Sequence, residues 1–199
     1  MSRTSAAARF TPNAKRERLL LHCGHPDYRE KIMDIDTAMQ GKGEGAVLAT
    51  DLLRADHETV RQLFDAYQDA LDSDASSRQS IAQEICMQLE LHSRVELEVF
   101  YPAIHDEDSD FVDTAVDEHE GLASTIAEIR VLPASSNEYD DHIFALMDLF
   151  EEHVTEEEEV LFPELEARIP TTLVSLIDDI IHFKERVVGS TEDLEGRPT

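Results

Sequence analysis

The sequence predicts an all-α fold: an antiparallel up-down-up-down four-helix bundle with an additional C-terminal helix. Three observations predict it. From residue 46 onward, apolar residues recur at helical spacing in four long segments. The stretches between those segments, Asp72–Ser77, Pro102–Ser109 and Leu132–Asn137, are short and rich in Pro, Ser, Asp or Asn. Short connections make consecutive helices antiparallel neighbours, and strand-like alternation is scarce. With 199 residues the chain can build one sizeable core.

Residues 1–45 show no sustained period, and Gly41-Lys-Gly-Glu-Gly45 reads as a flexible joint, so this part is expected to be a flexible N-terminal extension. Its first sixteen residues lack acids and contain Arg, Ser and Ala, as an organelle transit peptide does; a disordered bacterial extension or an upstream start codon fits equally. Helix 1 carries the stripe Leu53, His57, Val60, Phe64, and helix 2 the stripe Ile85, Leu89, His92, Glu96, Val99. Helix 3 carries Val112, Val116, His119, Leu122, Ile126, and helix 4 carries Leu146, Phe150, His153, Glu157, Val160. These four make the bundle, 46–169. A fifth apolar-periodic segment, Leu173 to Val188, follows Pro170 and is expected to stop at Gly189 as its C-cap, within a C-terminal helix and tail at 170–199.

Composition excludes several partners. The formal net charge is -27, and residues 1–45 hold eight Lys/Arg against six Asp/Glu, so the acidity lies almost wholly in the helical part. Such a surface repels phosphate backbones and anionic lipid headgroups, which argues against nucleic acid or a membrane as the main partner. No apolar run reaches the ~18–20 residues of a membrane span. Cys23 and Cys86 form no paired framework, which points to a reducing, cytoplasmic setting.

The chemistry lies in a repeat. His92-Ser-Arg-Val-Glu-Leu-Glu-Val-Phe-Tyr-Pro102 recurs as His153-Val-Thr-Glu-Glu-Glu-Glu-Val-Leu-Phe-Pro163. A spacing of four puts each histidine and its glutamate, His92 with Glu96 and His153 with Glu157, on one helix face a turn apart. His57 and His119 add one histidine to each remaining apolar stripe. In an antiparallel hairpin, residues equidistant from the turn stand at equal height. The midpoints of 57 and 92, of 92 and 119, and of 119 and 153 fall inside the three breaks in turn, so all four imidazoles are expected in one layer.

Burying Glu96 and Glu157 in that layer without compensation costs on the order of several kcal/mol each, or forces them to bind protons. Stripe-facing arginines that could pair with them are absent nearby. Bound cations remove the problem. Six nitrogen and oxygen donors without thiolate suit iron, manganese or zinc, and exceed what one open ion needs, so two ions bridged by the carboxylates are expected.

Other histidines fit less well. His142 shares the His153 stripe but lies three turns away, about 16 Å. His105 sits in a loop and His182 on the added helix; His22-Cys23-Gly24-His25 lacks the second half of a metal motif. Asp56, Glu58, Glu98, Glu118, Glu120 and Glu158 belong either to a solvated face or to carboxylates that orient histidine N–H groups. Phe100, Tyr101, Leu161 and Phe162 are expected to wall the core.

On these residues the sequence resembles the hemerythrin-like, HHE cation-binding family: Asp56-His57, His92-x-x-x-Glu96 with Phe100-Tyr101-Pro102, Glu118-His119, and His153-x-x-x-Glu157-Glu158 with Leu161-Phe162-Pro163, over about residues 48–167. The resemblance implies a non-haem centre of two iron ions with an oxo or hydroxo bridge, Glu96 and Glu157 bridging and the four histidines terminal, manganese or zinc being the lesser alternatives. Two departures stand out. The oxygen carriers of the family pair the third-helix histidine with another four residues away, where this chain has Ala115 and Ala123. Leu97 stands where the second repeat has Glu158.

The reading that follows is a di-iron binding protein taking up O2 or a related small ligand for sensing, storage or protection against oxidative or nitrosative stress. Two alternatives use the same centre: a redox enzyme acting on peroxide or nitric oxide, and an iron-responsive interaction protein whose stability a partner reads.

Overall fold

A computed structural model describes residues 46–195; the expected N-terminal extension, with His22 to His25, lies outside the described residues. All regular structure within them is helical. Helix α1 spans Ala49–Asp69, and the Asp51 carboxylate reaches back to the Leu48 N–H at 2.8 Å. Helix α2 spans Ala75–Val95, capped by Asp74, whose side chain accepts from the Ser77 N–H at 3.0 Å. A π-helical turn, Glu96–Phe100, carries this rod without a break into α3, Tyr101–Ile104. Asp108 caps α4, Ser109–Val131, and Ser136 caps α5, Asn137–Glu156. These caps satisfy backbone donors that each first turn leaves free. A second π-helical turn, Glu157–Leu161, joins α5 to α6, Phe162–Arg168, and α7 runs Pro170–Glu195.

The rods α1 and α2 pair along their lengths, as do α4 and α5, giving the up-down-up-down bundle that the short connections predict. One end of the interior is apolar throughout, with Phe64, Tyr67, Ile85, Leu89, Ile126, Ile143 and Leu146 buried together. The added helix α7 packs on α1, on α2 with its π-helical turn, and on α6. Leu173, Leu176, Ile180 and Phe183 are its buried apolar face.

Three local expectations are corrected. The α2 rod does not break at Pro102 but continues to Ile104, and α7 runs past Gly189 to Glu195. Val99 and Val160, placed by spacing on the inner stripes, are half-buried and 56% exposed; Phe100, Tyr101, Leu161 and Phe162 are buried instead. The prolines explain the shift. In an α-helix Pro102 would lack its hydrogen bond and its ring would meet the carbonyl four residues back, and Pro163 would do the same. The wider turn takes in one extra residue, so that the Tyr101 N–H bonds to the Glu96 carbonyl and the Phe162 N–H to that of Glu157. Each proline then falls in the first turn of the next helix, where no N–H is required. One extra residue rotates the following face by about 100°, which moves the valines out and the adjacent bulky pairs in.

Candidate metal centre

His57 comes from α1, His92 from α2, His119 from α4 and His153 from α5, while Glu96 and Glu157 open the two π-helical turns. All six are buried, none more than 2% exposed. Neighbouring imidazoles stand 4.7 Å (His57–His92), 6.3 Å (His92–His119) and 4.5 Å (His119–His153) apart between ring centroids. The symmetry of the hairpins therefore brings all six expected residues together at one level. Glu96 Oε2 lies 3.0 Å from Nε2 of both His92 and His119 and 3.7 Å from that of His153. Glu157 Oε2 lies 3.4 Å from His57 Nε2 and 3.7 Å from His153 Nε2.

These contacts are close without being hydrogen bonds. Nε2 of His57, His92 and His153, both Glu96 oxygens and Glu157 Oε2 are buried with no hydrogen-bond partner. A natural interior leaves few such groups, because each costs about 1–3 kcal/mol or more. Two sets of donor atoms lie close enough to hold an ion: His57, His92, Glu96 and Glu157, and Glu96, His119 and His153. The donors are nitrogen and oxygen only, and the unpartnered atoms face the space a cation would fill, so the residues present fit a metal.

Without a cation, protons compensate the charge. Burial opposes a proton on His92, but the Glu96 carboxylate outweighs it and raises the imidazole to about 10. His153 is raised to about 9 against the same burial by Glu96 and Glu157. Burial alone would raise Glu96, yet the surrounding imidazoles, His92 foremost, hold it well below the ordinary carboxylate range.

Behind the histidines stands a second ring of partners. His57 Nδ1 is 2.7 Å from Glu158 Oε1, which Arg61 braces from outside at 3.1 Å. His153 Nδ1 is 2.7 Å from Glu118 Oε2, and His119 Nδ1 is 2.9 Å from Ser93 Oγ. Of the acids left open by the sequence, Glu158 and Glu118 thus face histidine N–H groups. Such contacts fix the ring and strengthen it as a donor. An approximate two-fold pattern is visible: the acid before each single histidine, Asp56 or Glu118, reaches toward the histidine of a repeat. The pattern breaks at Leu97, which is 38% exposed and supports no imidazole where Glu158 supports His57.

Two residues of the centre escaped the sequence reading. The Tyr101 hydroxyl donates to Glu157 Oε1 at 2.8 Å and lies 3.3 Å from His119 Nε2. Burial, together with Glu96 and Glu157, pushes this phenol well above its ordinary range, so it keeps its proton. Lys184 of α7 is 3% exposed and pairs with the Asp56 carboxylate. The available signals were a bulky pair ending in an aromatic residue before the proline six residues after each ligand-type glutamate, and one cation on an otherwise apolar helical stripe. The apolar wall is Phe100, Phe150 and Phe162, the last stacked on His57 at 6.0 Å.

The remaining histidines are elsewhere. His142 Nε2 faces Glu128 at 3.3 Å, His105 is a half-exposed loop residue, and His182 is exposed.

The profile described as the hemerythrin HHE cation binding domain matches residues 48–171. The chain belongs to this family. Among solved structures, a hemerythrin HHE cation binding domain-containing protein of Mycobacterium kansasii, a homolog of Rv2633c, superposes on this HHE fold with a TM-score of 0.65 at 22% identity. The superposition covers 76% of this chain and 94% of that one. Among curated relatives, a DNA nickase of Nostoc sp. (strain PCC 7120) is 28% identical over 125 residues, 62% of this chain. The aligned region is 35% of that relative, so the HHE chain spans about a third of its length. The HHE domain and its buried histidine–glutamate cluster make this a metal-binding protein. Among the described residues no helix is long and apolar enough to cross a membrane.

Proposed function

We propose that the chain holds two iron ions between His57, His92, Glu96, His119, His153 and Glu157, and that this centre takes up O2 or a related small ligand for sensing, storage or protection against oxidative or nitrosative stress. In this reading Glu96 and Glu157 would supply the carboxylates and the four imidazoles the nitrogens that hold the ions, and residues 46–169 are the metal-binding unit to which 170–199 is added. The observation that carries it is the convergence of unpartnered, buried nitrogens and oxygens from His57, His92, Glu96, His153 and Glu157, with His119 Nε2 3.0 Å from the Glu96 carboxylate. Two donor sets that share Glu96 favour two ions over one. A pair of redox-active ions supplies the electrons that chemistry with O2 or peroxide requires.

The chain's own residues supply the rest. Glu158, Glu118 and Ser93 orient three imidazoles, the phenylalanine wall keeps water away, and Tyr101 holds a proton 2.8 Å from Glu157. Ala115 and Ala123, on either side of His119 at a spacing of four, leave more positions open to an exogenous ligand than a fifth histidine would. Protein purified and loaded with ferrous iron without oxygen should bind two irons per chain and develop an absorption band on exposure to air. Reversal on degassing marks uptake; an identical spectrum before and after air refutes the proposal.

The Tyr101 proton favours a second reading, a redox enzyme acting on peroxide or nitric oxide. Steady oxygen evolution from peroxide that disappears in His119→Ala supports it, and no turnover by fully loaded protein overturns it. The acidic surface supports a small ligand over nucleic acid as partner; cleavage of supercoiled plasmid by the loaded protein would reverse that. Cysteine usage supports the cytoplasm as its setting.

A further inference from the structure

Besides Leu97, the approximate two-fold pattern of the centre fails at Asp56, the acid before the first-helix histidine. Glu118 sits 2.7 Å from the Nδ1 of His153. Its counterpart Asp56 stands 3.9 Å from the Nδ1 of His92, too far to bond, and that buried nitrogen has no hydrogen-bond partner. The difference lies in what else holds the acid. Asp56 Oδ2, the oxygen nearer His92, is the one that accepts from Lys184 Nζ. Lys184 comes from α7, beyond the residues matched by the family profile. It is 3% exposed on a helix whose other buried residues, among those described, are Leu173, Leu176, Ile180, Ile181 and Phe183. A buried ammonium is costly unless paired, so its position on that face demands a reason.

We propose that Lys184 is a positioning residue through which α7 sets the donor strength of His92, by holding the Asp56 carboxylate off the His92 Nδ1–H. A carboxylate on the far nitrogen of a coordinating imidazole makes it a stronger donor. In the set His57, His92, Glu96, Glu157, His57 has that support from Glu158 and His92 does not. Withdrawal of Lys184 frees Asp56 to close on His92, as Glu118 does on His153, and the ion held there is bound more tightly. Docking of α7 and metal retention are thereby coupled, and anything that peels α7 away alters the centre without touching it. The inference rests on the metal-binding reading given above.

Zn(II), which is redox-inert and diamagnetic, is the probe. Full-length wild type, Lys184→Met and Asp56→Asn proteins, with the double variant, are titrated against a chromophoric chelator, and the histidine side-chain 15N–1H spectra of the Zn(II)-loaded forms are recorded. The expected result is that Lys184→Met moves the His92 Nδ1–H downfield, slows its exchange and tightens Zn(II) binding about tenfold. In the Asp56→Asn background the lysine substitution should have no effect on affinity, since the acid it restrains is gone. An unmoved His92 signal in loaded Lys184→Met overturns the proposal. So does equal tightening in the Asp56→Asn background, which would mean that loss of a positive charge is felt through space. Should Lys184→Met not fold, Lys184→Gln weakens the same restraint and carries the same expectations. Failure of the wild type to bind Zn(II) or Fe(II) refutes the metal reading itself, whereas binding with an unchanged His92 refutes only the role of Lys184.

Discussion

Replacing Tyr101 by Phe tests whether Glu157 is compensated by a cation. The substitution keeps the ring that packs in a site 1% exposed and deletes one donor, the hydroxyl 2.8 Å from Glu157 Oε1. In chelated protein the carboxylate loses a hydrogen bond to a charged group and gains no water, a loss of about 1.5–3 kcal/mol. For a domain of this size each kcal/mol moves the melting temperature by about 2–4 °C, so the expected drop is about 3–12 °C. In metal-loaded protein the cation meets the same charge directly, and the drop should shrink to below about 3 °C. Tyr67→Phe is the control. Its hydroxyl donates to Asp140 at 2.6 Å in the apolar end of the bundle, and its cost should be the same in both states. Calorimetric melts of the three proteins, chelated and loaded, decide the matter. An equal drop for Tyr101→Phe in both states would refute the argument that a cation answers Glu157.

Three further outcomes are expected. The chelated protein should be most stable between about pH 5 and 6.5. Asp56 and Glu158 are both held at about 2 despite burial, Asp56 by Lys184 and Glu158 by His57 and Arg61, so their contribution is present above the ordinary carboxylate range and lost as pH falls toward 2. His92 and His153 are raised to about 10 and about 9, so theirs is complete below pH 6.5 and lost as pH rises through those values. Melting temperatures that stay flat from pH 3 to 10 would contradict this. Glu158→Gln should weaken metal retention by about 10–100-fold, through loss of the carboxylate on His57 Nδ1, as read by chelator competition; unchanged retention would count against it. Gly121→Ala should stabilise the protein by about 0.5–1 kcal/mol in urea titrations, because a Cβ at that helical site meets nothing within 4 Å. A loss of stability would show that the site is tighter than described.

The level at which the histidines meet was legible because height in a hairpin bundle depends only on distance from the turns, and turns announce themselves in Pro, Ser and Asp. The six residues therefore converge as spacing predicts. What spacing could not supply was the change of period. Val99 and Val160 obey the 3.6-residue rule on paper, and the rule fails within the wide turn that ends two residues before each proline, because that turn absorbs an extra residue. Tyr101 lies inside, as a wall residue should, but spacing could not show that its hydroxyl turns into the centre. Lys184 was missed because pairing across 128 residues has no local signature. Glu158 and Glu118 were among six acids that sequence could not separate, since only the neighbouring helix decides which of them meets an imidazole.

The paired wide turns also bear on access. An ordinary helix points adjacent side chains about 100° apart, and the wide turn changes which adjacent pair faces inward. Here Phe100 with Tyr101, and Leu161 with Phe162, all lie inside, at 2% exposure or less. They form a double plug at the end of the bundle where the glutamates sit. If the centre takes up a small molecule from that side, these side chains must swing aside, and its arrival rate should follow the breathing of the plug rather than its own diffusion. Trimming a plug residue to alanine would then quicken both entry and escape while leaving the six polar groups in place.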